Sequence, residues 1–342
     1  MDPFQQRQLG RTGVTLPQIG FGGAPLGNLF AAVSDADAVT TMEAAWAEGV
    51  RYYDTSPWYG RGLSERRMGN FLLNQPRSQF RLSTKVGRIF TAPADPEAFA
   101  KTQRSWPEGL KFQHHYDYSY DGVMRSYEDS LQRLGLNRID MLLIHDLDLA
   151  NMGSEALLAA HLSQLAAGGM RALEELKGDG LIGAIGAGVN RLGTIPRFLN
   201  LLDLDFFLVA LPYTLAEQPV LDEEFPLCEQ RGVGLVVGGV FASGILATGA
   251  VPGAKYNYHE PSPAEAEHVR RIETVCARYA VPLAAAALQF PLHHPLVASV
   301  IPGALHPSQV GRNIESMRHP IPAALWAELK QEGLLRADAP TP

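Results

Sequence analysis

Short apolar runs of strand type alternate with helix-type stretches along most of this chain. That alternation constrains the fold more than any other feature. The strand-type runs are IGFGG (19–23), VRYYDT (50–55), FRLSTKV (80–86), RIDMLLIHD (138–146), LIGAIGAG (181–188), DFFLVALPY (205–213), VGLVVGGV (233–240) and LVASVIPG (296–303). A helix-type stretch follows each, the first capped by Ser34 or Asp35 and ending at Gly49. Regular βα alternation implies parallel strands. Eight such units in 342 residues predict an α/β fold closed as a (β/α)8 TIM barrel rather than an open sheet. Ahead of the first unit, residues 4–18 read as a β-hairpin turning at Gly10–Gly13. With no linker-like stretch, residues 1–342 are expected to form a single barrel domain, with extra loops and helices at the C-terminal end of the barrel.

Two segments break the rhythm. Residues 88–120 are rich in proline and aromatics, and a connection of that length predicts a functional loop or lid. The adjacent His114 and His115 within it read as loop surface rather than a chelate. Residues 241–262 form a second insertion. The stretch 151–169 reads as a helix ending at Gly168-Gly169. A formal charge of −7 disfavours general binding to nucleic acid or acidic membrane. Cys228 and Cys276, the two cysteines, make no disulfide framework and have no metal-ligand spacing, so they are expected as buried thiols with no metal site. No apolar run reaches spanning length and the first residues lack an apolar signal core, so a reducing cytoplasm is the expected location.

The chemistry gathers at strand ends. Asp54 closes the second strand, and the turn Ser56-Pro57 carries Tyr59 five residues on. Lys85 ends the third strand and His145 the fourth. In a barrel of this type the C-terminal strand ends form the active site. Each residue alone has a bland reading: a turn cap, a rim lysine, a satisfied core histidine. Together on consecutive strand ends they form a proton-transfer site. A tyrosine of ordinary pKa near ~10 is a poor acid–base near neutrality. An ammonium beside it favours the phenolate, so Lys85 is expected to lower Tyr59 while Asp54 holds Lys85 in place. His145 is placed to hydrogen-bond a substrate oxygen. Without an obvious nucleophile, such a site suits carbonyl–alcohol interconversion with a hydride cofactor.

These segments resemble the aldo-keto reductases. The resemblance runs through LGRTGVTLPQIGFGG, YYDTSPWYG, SERRMGNFL, STKVG, YEDSLQRLGLNRIDMLLIHD, the GVN of 188–190, the SGIL of 243–246 and VIPGALHPSQVGRNIES. It implies Tyr59 as general acid/base, Asp54 and Lys85 as its tuning pair, and His145 as the residue that orients substrate, with Trp58 beside them in the substrate pocket. It also implies an extended NAD or NADP across the barrel mouth, held by Gly22, Gly23, Gly188, Asn190, Ser243, Gly244, Leu246, Gly303, Gln309, Arg312 and Asn313. GFGGAPLG and GAIGAG are glycine-rich, yet neither reads G-x-G-x-x-G, in keeping with a family that uses no Rossmann domain.

Departures from the family pattern narrow the branch. Gly238 stands where many members carry a nicotinamide-stacking tyrosine, and Ala210 where a glutamine contacts the carboxamide. These variations resemble the sugar-dehydrogenase branch, which acts on L-fucose or D-threo-aldoses and includes pyridoxal 4-dehydrogenase as a close relative. The implied reaction is oxidation of an aldose of L-fucose, D-arabinose or L-galactose type at C1 to its lactone. The alternatives are a pyridoxal or aromatic-aldehyde enzyme, with Trp58 and the aromatics of 99–120 lining its pocket, and a non-catalytic regulatory subunit. Gly303 and Gln309 occupy the places of the cations that hold a 2′-phosphate, so NAD is the expected cofactor and NADP possible through Arg312. The expected partner is a small-molecule substrate, with the chain a monomer or small homo-oligomer.

Overall fold

The computed structural model describes residues 1–103 and 106–342. A hairpin of β1 (Gln6–Gln8) and β2 (Thr15–Pro17) precedes the barrel. The barrel strands are β3 (Phe21–Gly22), β4 (Tyr52–Asp54), β5 (Arg81–Val86), β8 (Met141–His145), β9 (Ala184–Val189), β10 (Phe206–Ala210), β11 (Gly234–Gly238) and β12 (Val297–Ile301). They lie side by side in chain order and pair in parallel. Gly20 N donates to Val300 O at 2.8 Å and Gly22 N to Pro302 O at 3.1 Å, which closes the first strand segment against the last.

Alternation along each strand divides the core in two. Tyr52, Met141, Leu143, Ala184, Phe206, Leu208 and Val236 fill the barrel interior, and Leu9, Val14 and Leu16 of the hairpin plug its N-terminal end. Tyr53, Leu82, Leu142 and Ile144 face the surrounding helices instead. The parity has a direct consequence. Asp54 follows Tyr52, Lys85 follows Ser83 and His145 follows Leu143 by two residues, so all three point into the barrel at its C-terminal mouth.

The two insertions are structured. In residues 88–120, β6 (Arg88–Thr91) pairs antiparallel with β7 (Gln113–Tyr116), and the Pro96–Thr102 helix lies between them. His115 is exposed, whereas His114 is partly buried with its ring 4.7 Å from that of Trp58. The expectation of loop surface therefore fails for His114, because strand alternation turns it inward. Gly168-Gly169 does not end a helix either. The Glu155–Gln164 helix runs on through a π-turn at 165–169 into the Met170–Gly178 helix. A side chain at Gly169 would meet Tyr118 O at 2.3 Å, so this glycine serves close packing rather than termination. Both cysteines are buried and free. Among the described residues no single helix is long and apolar enough to cross a membrane.

Candidate active site

The stretch after β4 sets the geometry. Trp58 N donates to Ser56 Oγ at 3.0 Å and Tyr59 N to Ser56 O at 3.1 Å, so Ser56 forms the turn that presents Tyr59. Gly60, Arg61 and Gly62 then adopt left-handed backbone conformations with φ of 63°, 56° and 98°. A Cβ on Gly60 would lie 2.6 Å from Gly27 O, so the turn requires glycine there.

Within the mouth, Lys85 Nζ donates to Asp54 Oδ2 and to Thr55 O, each at 2.8 Å. Ser83 Oγ donates to the other Asp54 oxygen at 2.7 Å. Lys85 Nζ stands 4.7 Å from the Tyr59 ring centre, and the His145 ring lies edge-on to Tyr59 at 5.9 Å. The structure thus gathers the four residues predicted from separate strand ends. Trp58 is also at the mouth, 6.2 Å from Trp106 between ring centres.

Burial raises the Asp54 carboxyl above the usual carboxylate range, outweighing Lys85 and Ser83, which pull it down. Tyr59 is pushed well above the ordinary phenol value by burial, then by Asp54 and Asp146; Arg88 opposes them. The expected lowering of Tyr59 does not prevail: burial and the Asp54 and Asp146 carboxylates outweigh the cations, and Arg88 joins Lys85, which is bound to Asp54 at 2.8 Å, as a cation of the site. His145 is held well below the usual imidazole value by burial, then by Arg88 and Lys85, so its ring is neutral at pH 7.

Arg88, Asp146, His114 and Tyr258 were not anticipated from sequence as site residues, whereas Trp106 and Tyr116 belong to the aromatics of 99–120 expected to line a pocket. Arg88, 3% exposed, approaches His145 Nδ1 at 3.1 Å and Asp146 Oδ2 at 3.3 Å, with its guanidinium 4.6 Å from the Trp58 ring centre. Trp106 lies 5.7 Å from the Tyr59 ring. His114 and Tyr116 continue this aromatic wall, their rings 5.2 Å apart. Burial, with Arg88 adding to it, pushes His114 down to about 4. Tyr258, from the 241–262 insertion, is exposed with its ring 5.9 Å from that of Phe30. Two signals for these residues stood in the sequence: a cation three residues beyond Lys85, and a carboxylate adjoining His145.

The cofactor residues named from sequence fall into three groups. Gly22, Gly23 and Gly303 occupy the seam of the barrel. Side chains there would meet Ile301 O, Asp54 O and the Pro25 ring at 2.7, 2.7 and 2.6 Å, so packing already requires these glycines. Gly188 lines the mouth, where a Cβ would come 3.6 Å from Lys85 Cε, and Asn190 Nδ2 donates to Asp146 Oδ1 at 3.1 Å. The remaining residues lie on the connections after β11 and β12. Leu246 is buried, Ser243 Oγ accepts from Tyr258 N at 2.9 Å, and Gly244 (φ 118°) has open space where a Cβ would stand. Gln309 Oε1 accepts from Leu305 N at 2.6 Å and so supports its own loop. Arg312 is exposed and Asn313 partly buried on the Pro307–Arg318 helix. The open left-handed turn at Gly244, the Ser243 hydroxyl and, on the helix after β12, the Asn313 amide and exposed Arg312 guanidinium are donor types that fit an extended dinucleotide. Ala210 and Gly238 are register partners, and a Cβ on Gly238 would already come 3.2 Å from Leu208 Cδ2.

A family model described as the aldo/keto reductase family matches residues 18–332. Pyridoxal 4-dehydrogenase of Microbacterium luteolum is 42% identical to this chain, the alignment covering 97% of this chain and 98% of that protein. D-threo-aldose 1-dehydrogenase of a Pseudomonas species is 39% identical, covering 96% and 97%. Among solved structures, the holo form of an aldo-keto reductase from Bacillus halodurans superposes with a TM-score of 0.74 at 25% identity, covering 98% of each chain. The chain belongs to the aldo/keto reductase family and is an NAD(P)-dependent oxidoreductase.

Proposed function

We propose that the enzyme oxidises the anomeric carbon of a cyclic aldose hemiacetal, giving the lactone, with Tyr59 as the proton-transfer residue. The observation carrying this reading is the neutral His145 ring and the Asp54-bound Lys85 ammonium converging on the Tyr59 phenol at the barrel mouth. Tyr59 first releases its own proton to water, to which its partly exposed ring has access, and as the phenolate then takes the C1 hydroxyl proton. His145 donates a hydrogen bond to the C1 oxygen and fixes its direction. Lys85, held by Asp54 and Thr55 O, faces the phenol and is too constrained to swing away. Asn190, Ser243, Gly244 and Arg312 would hold the nicotinamide dinucleotide. When bound, oxidised nicotinamide supplies the hydride acceptor and a positive charge.

A second reading rests on the wall of Trp58, Trp106, His114 and Tyr116, which suits a flat aromatic ring. Pyridoxal is such a ring, and it also closes to a cyclic hemiacetal through its own hydroxymethyl group. L-fucose, D-arabinose, L-galactose and pyridoxal, assayed side by side with NAD and NADP, separate the readings. A higher kcat/KM with NAD is expected, because Gly303 offers no cation and the Gln309 carbonyl is already engaged. Tyr59→Phe should lower turnover by at least ~10²-fold while the variant still binds NADH. Near wild-type turnover in that variant would overturn the proton-transfer role.

A further inference from the structure

We propose that Arg88 is a positioning residue whose guanidinium, donating from Nη1 to Nδ1, fixes His145 as the tautomer carrying its proton on Nε2. The inference rests on the reading of His145 as the residue that orients substrate. Arg88 is the first residue of β6, buried at 3% exposure against the mouth. Its Nη1 lies 3.1 Å from His145 Nδ1. A guanidinium has only donors, so Nδ1 must present its lone pair and the single proton of a neutral ring must sit on Nε2. Ser56 Oγ is also near Nδ1, at 2.9 Å. Its oxygen already accepts from Trp58 N, which leaves its hydroxyl proton free to donate to the same lone pair.

The other face of the ring completes the argument. His145 Nε2 is 3.2 Å from Asp146 Oδ2. An unopposed carboxylate there would favour the imidazolium, with protons on both nitrogens. Arg88 Nη2 reaches the same oxygen at 3.3 Å, and Asn190 Nδ2 donates to the other. One guanidinium thus holds the lone pair at Nδ1 and offsets the carboxylate that competes for Nε2–H. The remaining groups facing His145 are the Lys85 ammonium, the Tyr59 phenol and Tyr118, whose hydroxyl donates to the His145 carbonyl at 3.1 Å. Of the charged groups among the described residues, only Arg88 contacts Nδ1.

The test is a long-range ¹H–¹⁵N spectrum of uniformly labelled full-length enzyme with NAD bound, the His145 signals assigned by their loss in His145→Asn. Wild type should show one protonated and one bare ring nitrogen in the Nε2–H pattern, unchanged from pH 6 to 9. Arg88→Met should lose that pattern within this range, by tautomer mixing or by titration, and Arg88→Lys should restore part of it. Turnover should fall on the order of 10²-fold in Arg88→Met, less than the ~10⁴-fold seen where a triad histidine takes the wrong tautomer. An unchanged spectrum in Arg88→Met overturns the proposal. Should that variant not fold, Ser56→Ala decides: the pattern persists if Arg88 holds the ring and scrambles if Ser56 does. Because the readout is spectroscopic, failure of the Tyr59 assignment would leave it interpretable.

Discussion

Two cation–carboxylate pairs flank Tyr59, and they differ in almost every respect. Lys85–Asp54 spans 2.8 Å, with each side chain 2% exposed. Each Asp54 oxygen has a donor, and Lys85 has Thr55 O as a second acceptor. Both residues sit on adjacent barrel strands, where register Asp54↔Ser83 sets their approach. Arg88–Asp146 spans 3.3 Å, its carboxylate side chain 11% exposed. Among the described residues Arg88 Nε has no partner, and its Nη2 divides between Asp146, Asn151 and Tyr116 at 3.3 to 3.5 Å. Asp146 itself takes a left-handed backbone, φ 47°, just past the end of β8. The first pair belongs to the scaffold. The second is carried by an insertion strand and a strained turn, and it acts on His145 as much as on itself.

Breaking the tight pair should have the largest effect. Lys85→Met leaves Asp54 buried without its cation, which costs about 3–5 kcal/mol when one partner of a buried pair is removed. Denaturant unfolding of wild type and variant measures the loss. Asp54→Asn combined with Lys85→Met should recover much of the stability and none of the turnover. A single variant as stable as wild type would show that the pair does not behave as a scaffold element.

This difference also explains what the sequence made legible. Asp54, Lys85 and His145 were visible because period-two alternation and strand ends place them, and one parity governs all three. Tyr59 followed from turn chemistry a fixed distance beyond Asp54. Arg88 and Asp146 were not visible. Arg88 enters the mouth only because residues 88–120 fold back as β6 and β7, a pairing that Pro93, Pro96 and Pro107 disguised as irregular loop. His114 was misplaced for the same reason. Asp146 takes a backbone conformation unusual for a non-glycine residue, which strand periodicity does not anticipate. At the barrel seam the glycines were read as cofactor contacts, whereas the closeness of the backbones requires them in any case.

Breaking the loose pair should cost less. In Asp146→Asn, Arg88 keeps Asn151, Tyr116 and the amide oxygen as acceptors, so a loss of about 1.5–3 kcal/mol at most is expected, the range of a hydrogen bond to a charged group. The same denaturant titration measures it. A loss equal to that of Lys85→Met would erase the distinction between the two pairs.

The smallest effect separates neighbours by sign. His145 is depressed in the fold, so the unfolded chain binds its proton first, at an unfolded pKa near ~6.5. Its contribution is therefore present above that pH and lost as pH falls below it, by at most ~1.4 kcal/mol per pH unit. The Asp146 carboxyl is raised in the fold by burial, with Asp148 adding and Arg88 opposing. The folded state then binds that proton first, so the contribution is present at low pH and is lost as pH rises through the folded value. Two adjoining residues thus pull the stability curve in opposite directions. Unfolding free energies of wild type, His145→Asn and Asp146→Asn, measured from pH 8 down to 4.5, resolve this. The wild-type advantage over His145→Asn should shrink below pH 6.5, and the advantage over Asp146→Asn should grow as pH falls. Parallel curves for the two variants would mean that burial does not shift the two groups in opposite directions. In Arg88→Met the two should respond oppositely: the His145 dependence should flatten, because the guanidinium helps depress the imidazole, while the Asp146 dependence should extend to higher pH, because the same guanidinium opposes the rise of the carboxyl.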